Sequence, residues 1–100
     1  MIMERHVQQL VASMPGAYKD WEKNWTAFEA RLGNFPPKRY YSVMSGPEVN
    51  GTMVWEREWE SFAAAEREYN RMFSDPELQR IQSLTSPIAS ERTEFYFVEV

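Results

Sequence analysis

The most regular hydrophobic pattern in the chain is a stripe of apolar residues in its first third. The members recur at spacings of three and four residues, which is the period of one face of an α-helix; they are Tyr18, Trp21, Trp25, Phe28 and Leu32. The polar residues between them, among them Glu22, are assigned to the solvent side. Gly33-Asn34 provides a left-handed end to this helix, and Pro36-Pro37 prevents it from resuming.

Four other segments have the alternation and composition of β-strands. They are residues 2 to 12, 38 to 45, 52 to 59 and 92 to 100. Asn50-Gly51 before the third strand is a hairpin signal. Ser61 after that strand is placed to cap a helix that runs to about Phe73, and Pro76 begins a shorter one. The order is therefore strand-helix-strand followed by strand-helix-strand.

Connecting two such units by right-handed crossovers gives a four-stranded antiparallel sheet with both helices on one face. This predicts an α+β, ferredoxin-like fold in a single domain over residues 1–100. The last predicted strand is apolar on both faces, with Phe95 and Phe97 opposite Tyr96 and Val98. A face open to water normally alternates to polar residues. We therefore expect an identical sheet from a second copy to cover the free face, in an obligate homodimer that forms a dimeric α+β barrel.

Composition narrows the class of protein. The 100 residues are 43% hydrophobic, which suits one compact core. The net charge is −4 and the basic residues are scattered, so no nucleic-acid partner is expected. The chain has 0 cysteines, no apolar stretch long enough to span a membrane, and no signal-peptide layout at its start. We expect a cytoplasmic protein with no membrane partner and no cofactor.

Motifs in both halves of the sequence resemble a known family. Val54 to Phe62 running into Phe73 to Leu78, together with Met14-Pro15-Gly16 before the aromatic helix, resembles the NIPSNAP-type domains of the dimeric α+β barrel superfamily. The resemblance covers essentially the whole chain. It implies two sheets that form a barrel at the dimer centre, and in active members a ligand between each sheet and its helices.

The same resemblance brings in two kinds of enzyme. The superfamily includes cofactor-independent monooxygenases of antibiotic biosynthesis and haem-degrading enzymes. The haem-degrading relatives use a histidine on the helix after the third strand, and residues 62 to 73 contain none. Haem degradation is therefore not expected.

The candidate ligand site lies where the third strand meets the helices. Trp55, Arg57 and Trp59 share one strand face, which we assign to the helix side because it is the more apolar one. Arg57 either binds a carboxylate or enolate there, or it stacks on the indoles or pairs with Glu4. The full set of candidate ligand-binding residues is Trp55, Arg57, Trp59, Trp25, Tyr18, Tyr41, Tyr69 and His6.

Two further groups have both a chemical and a structural interpretation. His6, the only histidine, is either a metal or haem ligand or a strand histidine satisfied by hydrogen bonds. A zinc site would need further His or Cys ligands, so no metal is expected. Glu56 and Glu58 are either paired carboxylates for acid–base chemistry or partners of Arg5 and of arginines in the partner subunit.

Three functions fit these observations. The first is a homodimeric binding domain for a small apolar or aromatic molecule. The second is a cofactor-independent monooxygenase in which Arg57 stabilises the substrate anion. The third is a structural or assembly module without a ligand site. The first two predict a cavity above the third strand, whereas the third predicts that Trp25, Trp55 and Trp59 fill that space.

Overall fold

The computed structural model of the protein describes residues 1–14, 16–48 and 50–99. Pro15 and Val100, which belong to the pattern before the first helix and to the last predicted strand, lie outside the described residues. The elements are β1 (Ile2–Leu10), α1 (Ala17–Leu32), β2 (Arg39–Ser42), β3 (Thr52–Trp59), α2 (Phe62–Phe73), α3 (Glu77–Gln82) and β4 (Ile88–Phe97). The strands form one antiparallel sheet in the order β2-β3-β1-β4. The α+β, ferredoxin-like fold is thereby confirmed.

Two strands have different limits from those the sequence predicts. β2 spans only Arg39–Ser42 rather than residues 38 to 45, because residues 44 to 48 leave the sheet in a series of bends. β4 begins at Ile88 rather than at Arg92. Its polar first half does not look like a strand, but it pairs with β1 as far as Leu10 opposite Ile88. Pairing with a neighbour, rather than its own composition, sets where β4 begins.

The helix ends follow the local signals in the sequence. Gly33 and Asn34 adopt positive φ angles of 77° and 70° where α1 ends. The amide of Gly33 donates to the carbonyl of Glu29 at 2.9 Å, which closes the last turn. At the start of α2 the hydroxyl of Ser61 accepts a hydrogen bond from the amide of Ala64 at 3.1 Å, so this cap is also confirmed.

The core lies on one side of the sheet. Cross-strand pairing places Ile2 opposite Trp59 on the face toward the helices, and both side chains are buried with Ala65 of α2. A second apolar cluster joins the helices to one another through Phe28, Met72, Leu78 and Ile81. The strand face that carries Trp55, Arg57 and Trp59 is thus the face under the helices, as the sequence indicates.

The opposite face of the sheet is less apolar than the sequence analysis expects. Tyr41 and Tyr96 lie there, 45% and 40% exposed. Between them Arg5 donates to Glu56 at 2.7 Å, which is the structural alternative for that carboxylate. Phe97 lies instead on the helix side, opposite Ile2, and contacts Phe62. None of the helices in the described part of the chain combines the length and apolar character that crossing a bilayer requires.

Candidate functional site

A cavity of about 250 Å³ lies between the helix-facing side of the sheet and helices α1 and α2. Its main lining residues are His6 and Gln8 on β1, Trp55 and Arg57 on β3, Trp21 and Trp25 on α1, and Tyr69, Met72 and Phe73 on α2. The indoles and the phenylalanine make its walls apolar. Charged groups below and beside them make the rest of the lining polar.

Most of the candidate residues from the sequence meet at this cavity. Trp25, Trp55, Arg57, Tyr69 and His6 line it. The other three candidates do not line it, and each is placed differently.

Two of these three support the lining from behind. Trp59 is only 3% exposed and packs in the core, with its ring centroid 5.8 Å from that of Tyr69. The hydroxyl of Tyr18 donates to Oε1 of the lining residue Gln8 at 2.6 Å. Both side chains thus position lining residues from outside the cavity.

The prediction that Tyr41 lies in the site is wrong. Tyr41 pairs with Val54, and alternate residues of a strand point to opposite faces of the sheet. Its side chain is therefore on the face away from the helices. Tyr40 occupies the helix-facing position and donates to Oε1 of Glu22 at 3.0 Å. A single-residue offset in this short strand decides which tyrosine faces the helices, and Tyr40 does so without lining the cavity.

Arg57 is held by carboxylates and aromatic rings, which is the structural alternative for this residue. Its two terminal nitrogens donate to the two carboxylate oxygens of Glu29 at 3.1 and 2.9 Å. Its Nε lies 3.5 Å from Oε1 of Glu4, and the guanidinium lies 4.7 Å from the ring of Trp55 and 5.7 Å from that of Trp59. Burial alone would lower the pKa of Arg57, but the hydrogen bonds to Glu29 and the charges around it, among them those of Glu29 and Glu4, together raise it.

Beneath its aromatic walls the cavity has a floor of largely buried charged side chains, namely Glu4, Arg57, Glu29 and His6. Glu4 accepts hydrogen bonds at the centre of this floor. It receives hydrogen bonds from the indole N–H of Trp59 at 2.8 Å, from the hydroxyl of Tyr69 at 2.5 Å and from Nε2 of His6 at 2.5 Å. Burial opposes ionisation of Glu4, yet these donors and the charge of Arg57 keep its pKa below the usual range. Burial also raises the pKa of the Tyr69 phenol, so that Tyr69 remains a neutral donor.

His6 lies between two carboxylates and flat against an indole. Its ring stacks on Trp55 with the centroids 3.9 Å apart, and Nδ1 lies 2.9 Å from Oε1 of Glu91. Burial would lower the pKa of His6, but the hydrogen bonds to Glu4 and Glu91 raise it above the ordinary value. Each nitrogen faces a carboxylate oxygen, so both are donors when the ring is protonated, and neither then has a free lone pair for a metal or a substrate proton. In the part of the chain that the structure describes, no group of three or more His, Cys, Asp or Glu side chains is arranged to hold a metal ion.

Sequence reasoning missed the buried charges that α1 and the following segment supply. Glu22 and Glu29 are buried rather than solvated, and Nζ of Lys38 lies 2.6 Å from Oε1 of Glu22 and 3.7 Å from Oε2 of Glu29. The spacing of seven residues between the two glutamates is a usable signal, because residues two turns apart lie on one helix face. Lys38 and Glu91 carry no such signal.

Two buried donors in the lining, Nε1 of Trp25 and Nε of Arg57, have no hydrogen-bond partner among the described residues, and the second of them lies 3.5 Å from Glu4. The Nε1 atom of Trp25 is buried and makes no hydrogen bond within residues 1–14, 16–48 and 50–99. Most buried indole N–H groups are paired, so an unpaired one beside a cavity is informative.

Comparison with known proteins identifies the fold. No protein-family model matches the sequence, and a search of curated proteins gives no match. Among solved structures, a NIPSNAP family protein with unknown function from Agrobacterium tumefaciens superposes with a TM-score of 0.71 at 16% identity, over 96% of this chain and 86% of that one. An uncharacterized NIPSNAP domain protein from Burkholderia xenovorans gives 0.70 at 15% identity, over 99% and 95%. The chain has the fold of the NIPSNAP family proteins.

The NIPSNAP fold is shared by an enzyme of known type. SnoaB, a cofactor-independent oxygenase from Streptomyces nogalater, superposes in a mutant form with a TM-score of 0.67 at 11% identity, over 99% of this chain and 93% of that one. At such identities the likeness is one of fold. The function of the cavity in this chain therefore depends on its own side chains.

Proposed function

We propose that the protein is a single-domain, homodimeric NIPSNAP-like protein that binds a small, planar, largely apolar molecule in the cavity between sheet and helices. The observation that carries this proposal is the buried indole N–H of Trp25, which has no hydrogen-bond partner among the described residues. A buried donor left unpaired costs about 1–3 kcal/mol. An acceptor atom on a ligand in the adjoining cavity would recover that free energy.

The size and the walls of the cavity support a planar ligand. A volume of about 250 Å³ suits a molecule of one or two fused rings rather than a long chain. Trp21 and Trp25 on α1 and Phe73 on α2 present aromatic surfaces, which prefer to stack on flat rings. The cysteine-free composition favours a reducing, cytoplasmic setting for such binding.

Calorimetric titration with two matched probes tests this proposal. Naphthalene and 2-naphthylmethanol have the same ring system, and only the alcohol has an oxygen that can accept from Trp25. We expect both to bind, the alcohol more tightly. Trp25→Phe keeps an aromatic wall and removes the N–H, so it should weaken alcohol binding by roughly fivefold and leave naphthalene unchanged. Trp21→Phe, in the same wall, is the control and should change the two affinities equally. Absence of any saturable heat would refute the proposal.

The homodimer rests on the resemblance and on the sheet face opposite the helices. Proteins of the dimeric α+β barrel superfamily join two such sheets. On the corresponding face of this chain the rings of Tyr41 and Tyr96 remain 45% and 40% exposed, and Arg5 and Glu56 form an ion pair between them. A two-fold axis through this face would bury aromatic area from both copies at once.

A cofactor-independent monooxygenase is the second candidate, favoured by the likeness to SnoaB. In that mechanism Arg57 would stabilise a substrate anion, but here both of its terminal nitrogens are occupied by Glu29. Of the two unpaired donors in the described lining, Nε of Arg57 already faces Glu4, so the indole N–H of Trp25 is the one left for a substrate oxygen. Uptake of dioxygen in the presence of an electron-rich polycyclic phenol, lost in Trp25→Phe, would support the monooxygenase. Saturable binding of the phenol without dioxygen uptake would support a binding protein instead.

A further inference from the structure

The charges around the cavity do not balance. Four carboxylates lie in or directly under its lining, namely those of Glu4, Glu22, Glu29 and Glu91, and the cations that pair with them are Arg57, Lys38 and His6. Even with His6 protonated, this network carries one more negative than positive charge. In a partly buried site such an excess acts on a ligand with little screening.

Among the described residues the two permanent cations present no accessible donor to an anionic ligand, because their terminal nitrogens are paired and the unpaired Nε of Arg57 is buried. The side chain of Arg57 is 1% exposed, its terminal nitrogens bind Glu29, and its Nε faces Glu4. The side chain of Lys38 is 8% exposed and lies against Glu22 at 2.6 Å, with the ring of Trp55 4.3 Å from the ammonium. An incoming carboxylate would have to displace an internal glutamate from one of them.

Glu91 is the most accessible of the four carboxylates. It lies on the edge strand β4, its side chain is 35% exposed, and it lines the cavity. His6 and Gln8 each donate one hydrogen bond to it, at 2.9 and 2.6 Å. A carboxylate accepts about four hydrogen bonds, so Glu91 retains capacity for a ligand donor.

We infer that the ligand of this cavity is an aromatic cation that also carries an acceptor atom, with its ring against Trp21 and Trp25, its ammonium group at Glu91 and its acceptor at the indole N–H of Trp25. The indole faces strengthen this preference, since they attract cations that lie over them. The inference rests on the proposed function and specifies the class of molecule that the site takes. It also explains why Arg57 and Lys38 are withdrawn into ion pairs, since exposed cations would repel such a ligand.

A set of three isosteric probes separates charge from shape. The purified wild-type protein is titrated by calorimetry at neutral pH with 2-naphthylmethylamine, 2-naphthylmethanol and 2-naphthoate. The expected order is amine, then alcohol, then carboxylate, with about tenfold between the first two. Added salt should weaken binding of the amine and leave the alcohol unchanged.

Two variants on the same strand locate the charge. Glu91→Gln keeps the size of the side chain, so it should remove about tenfold of amine affinity and leave alcohol affinity within about twofold. Glu94→Gln is the matched control because its side chain is on the opposite face of β4, where it pairs with Arg92 and Tyr96. We expect it to change neither affinity.

The outcomes distinguish this inference from the proposal on which it rests. If the alcohol or the carboxylate binds as tightly as the amine, the charge preference is refuted while the binding cavity stands. If Glu94→Gln lowers amine affinity as much as Glu91→Gln does, the assignment to Glu91 is refuted. If none of the three probes binds, both the inference and the proposed function are refuted.

Discussion

The pair of Arg57 and Glu29 is the part of the floor whose loss should cost most. Both side chains are largely removed from water, at 1% and 11% exposure, and two hydrogen bonds join them. In Glu29→Gln the guanidinium stays buried while its main counter-charge disappears. Removing one partner of a buried ion pair costs about 3–5 kcal/mol. The remaining 3.5 Å contact with Glu4 places the expected loss near the lower end, about 3 kcal/mol.

Urea denaturation followed by tryptophan fluorescence and near-UV circular dichroism measures this loss. For a domain of 100 residues, a loss of about 3 kcal/mol also corresponds to a fall in Tm of at least roughly 12 °C. The double variant Arg57→Met/Glu29→Gln removes the unpaired charge and should lose less than the sum of the two single variants.

A surface ion pair provides the control. Arg31 joins α1 to Asp75 and Glu77 with comparably short contacts, but its side chain is 52% exposed. Arg31→Gln should leave the unfolding midpoint almost unchanged, because water screens and replaces exposed pairs. If Glu29→Gln were as mild as Arg31→Gln, the floor would be solvated in solution and the argument from burial would be refuted.

Three further predictions concern other parts of the molecule. Because the pKa of His6 is raised in the folded state, its protonation stabilises the fold fully below the unfolded pKa, and this contribution is lost as pH rises through the folded pKa. Wild type should therefore lose more stability than His6→Gln between pH 6 and pH 9, and an equal loss in the two urea series would contradict this. In the proposed homodimer, Tyr41→Asp should favour the monomer in sedimentation at micromolar concentration, whereas Met44→Asp, at a side chain 97% exposed, should not; a dimer in both variants would place the interface elsewhere. Gly33→Ala should cost about 1–3 kcal/mol in urea denaturation, since Gly33 has φ 77° and ψ 164°, a conformation that only glycine adopts readily; an unchanged midpoint would mean that the end of α1 relaxes.

The sequence predicted the frame of the site because that frame depends on apolar periodicity. The stripe from Tyr18 to Leu32 and the alternation around Trp55 and Trp59 each have a single arrangement that buries their aromatic rings. Those patterns were sufficient to place the cavity wall and to choose the correct face of β3. They were also sufficient for Arg57, whose stacking on indoles was one of the alternatives.

The buried acids could not be predicted in the same way. Glu22 looks like an ordinary solvated residue of a helix, and it becomes buried only because Lys38 and Tyr40, which follow α1 in the chain, return to cover it. Glu91 lies in a polar segment that becomes a strand by pairing with β1. Each charge is stabilised by a partner distant in sequence, and no local pattern records that partner. Tyr41 was misplaced for a related reason, since the register of a four-residue strand is set by its neighbour.

The position of β1 in the sheet affects how the molecule acquires its structure. β1 precedes the other strands of the sheet in the chain but lies between β3 and β4, and Ile2 pairs with Phe97. Its backbone hydrogen bonds must therefore wait for β3 on one side and for β4 on the other, and closing such long loops slows the search. On the ribosome β1 would stay unpaired until β3 emerges, whereas α1 can form as soon as it emerges.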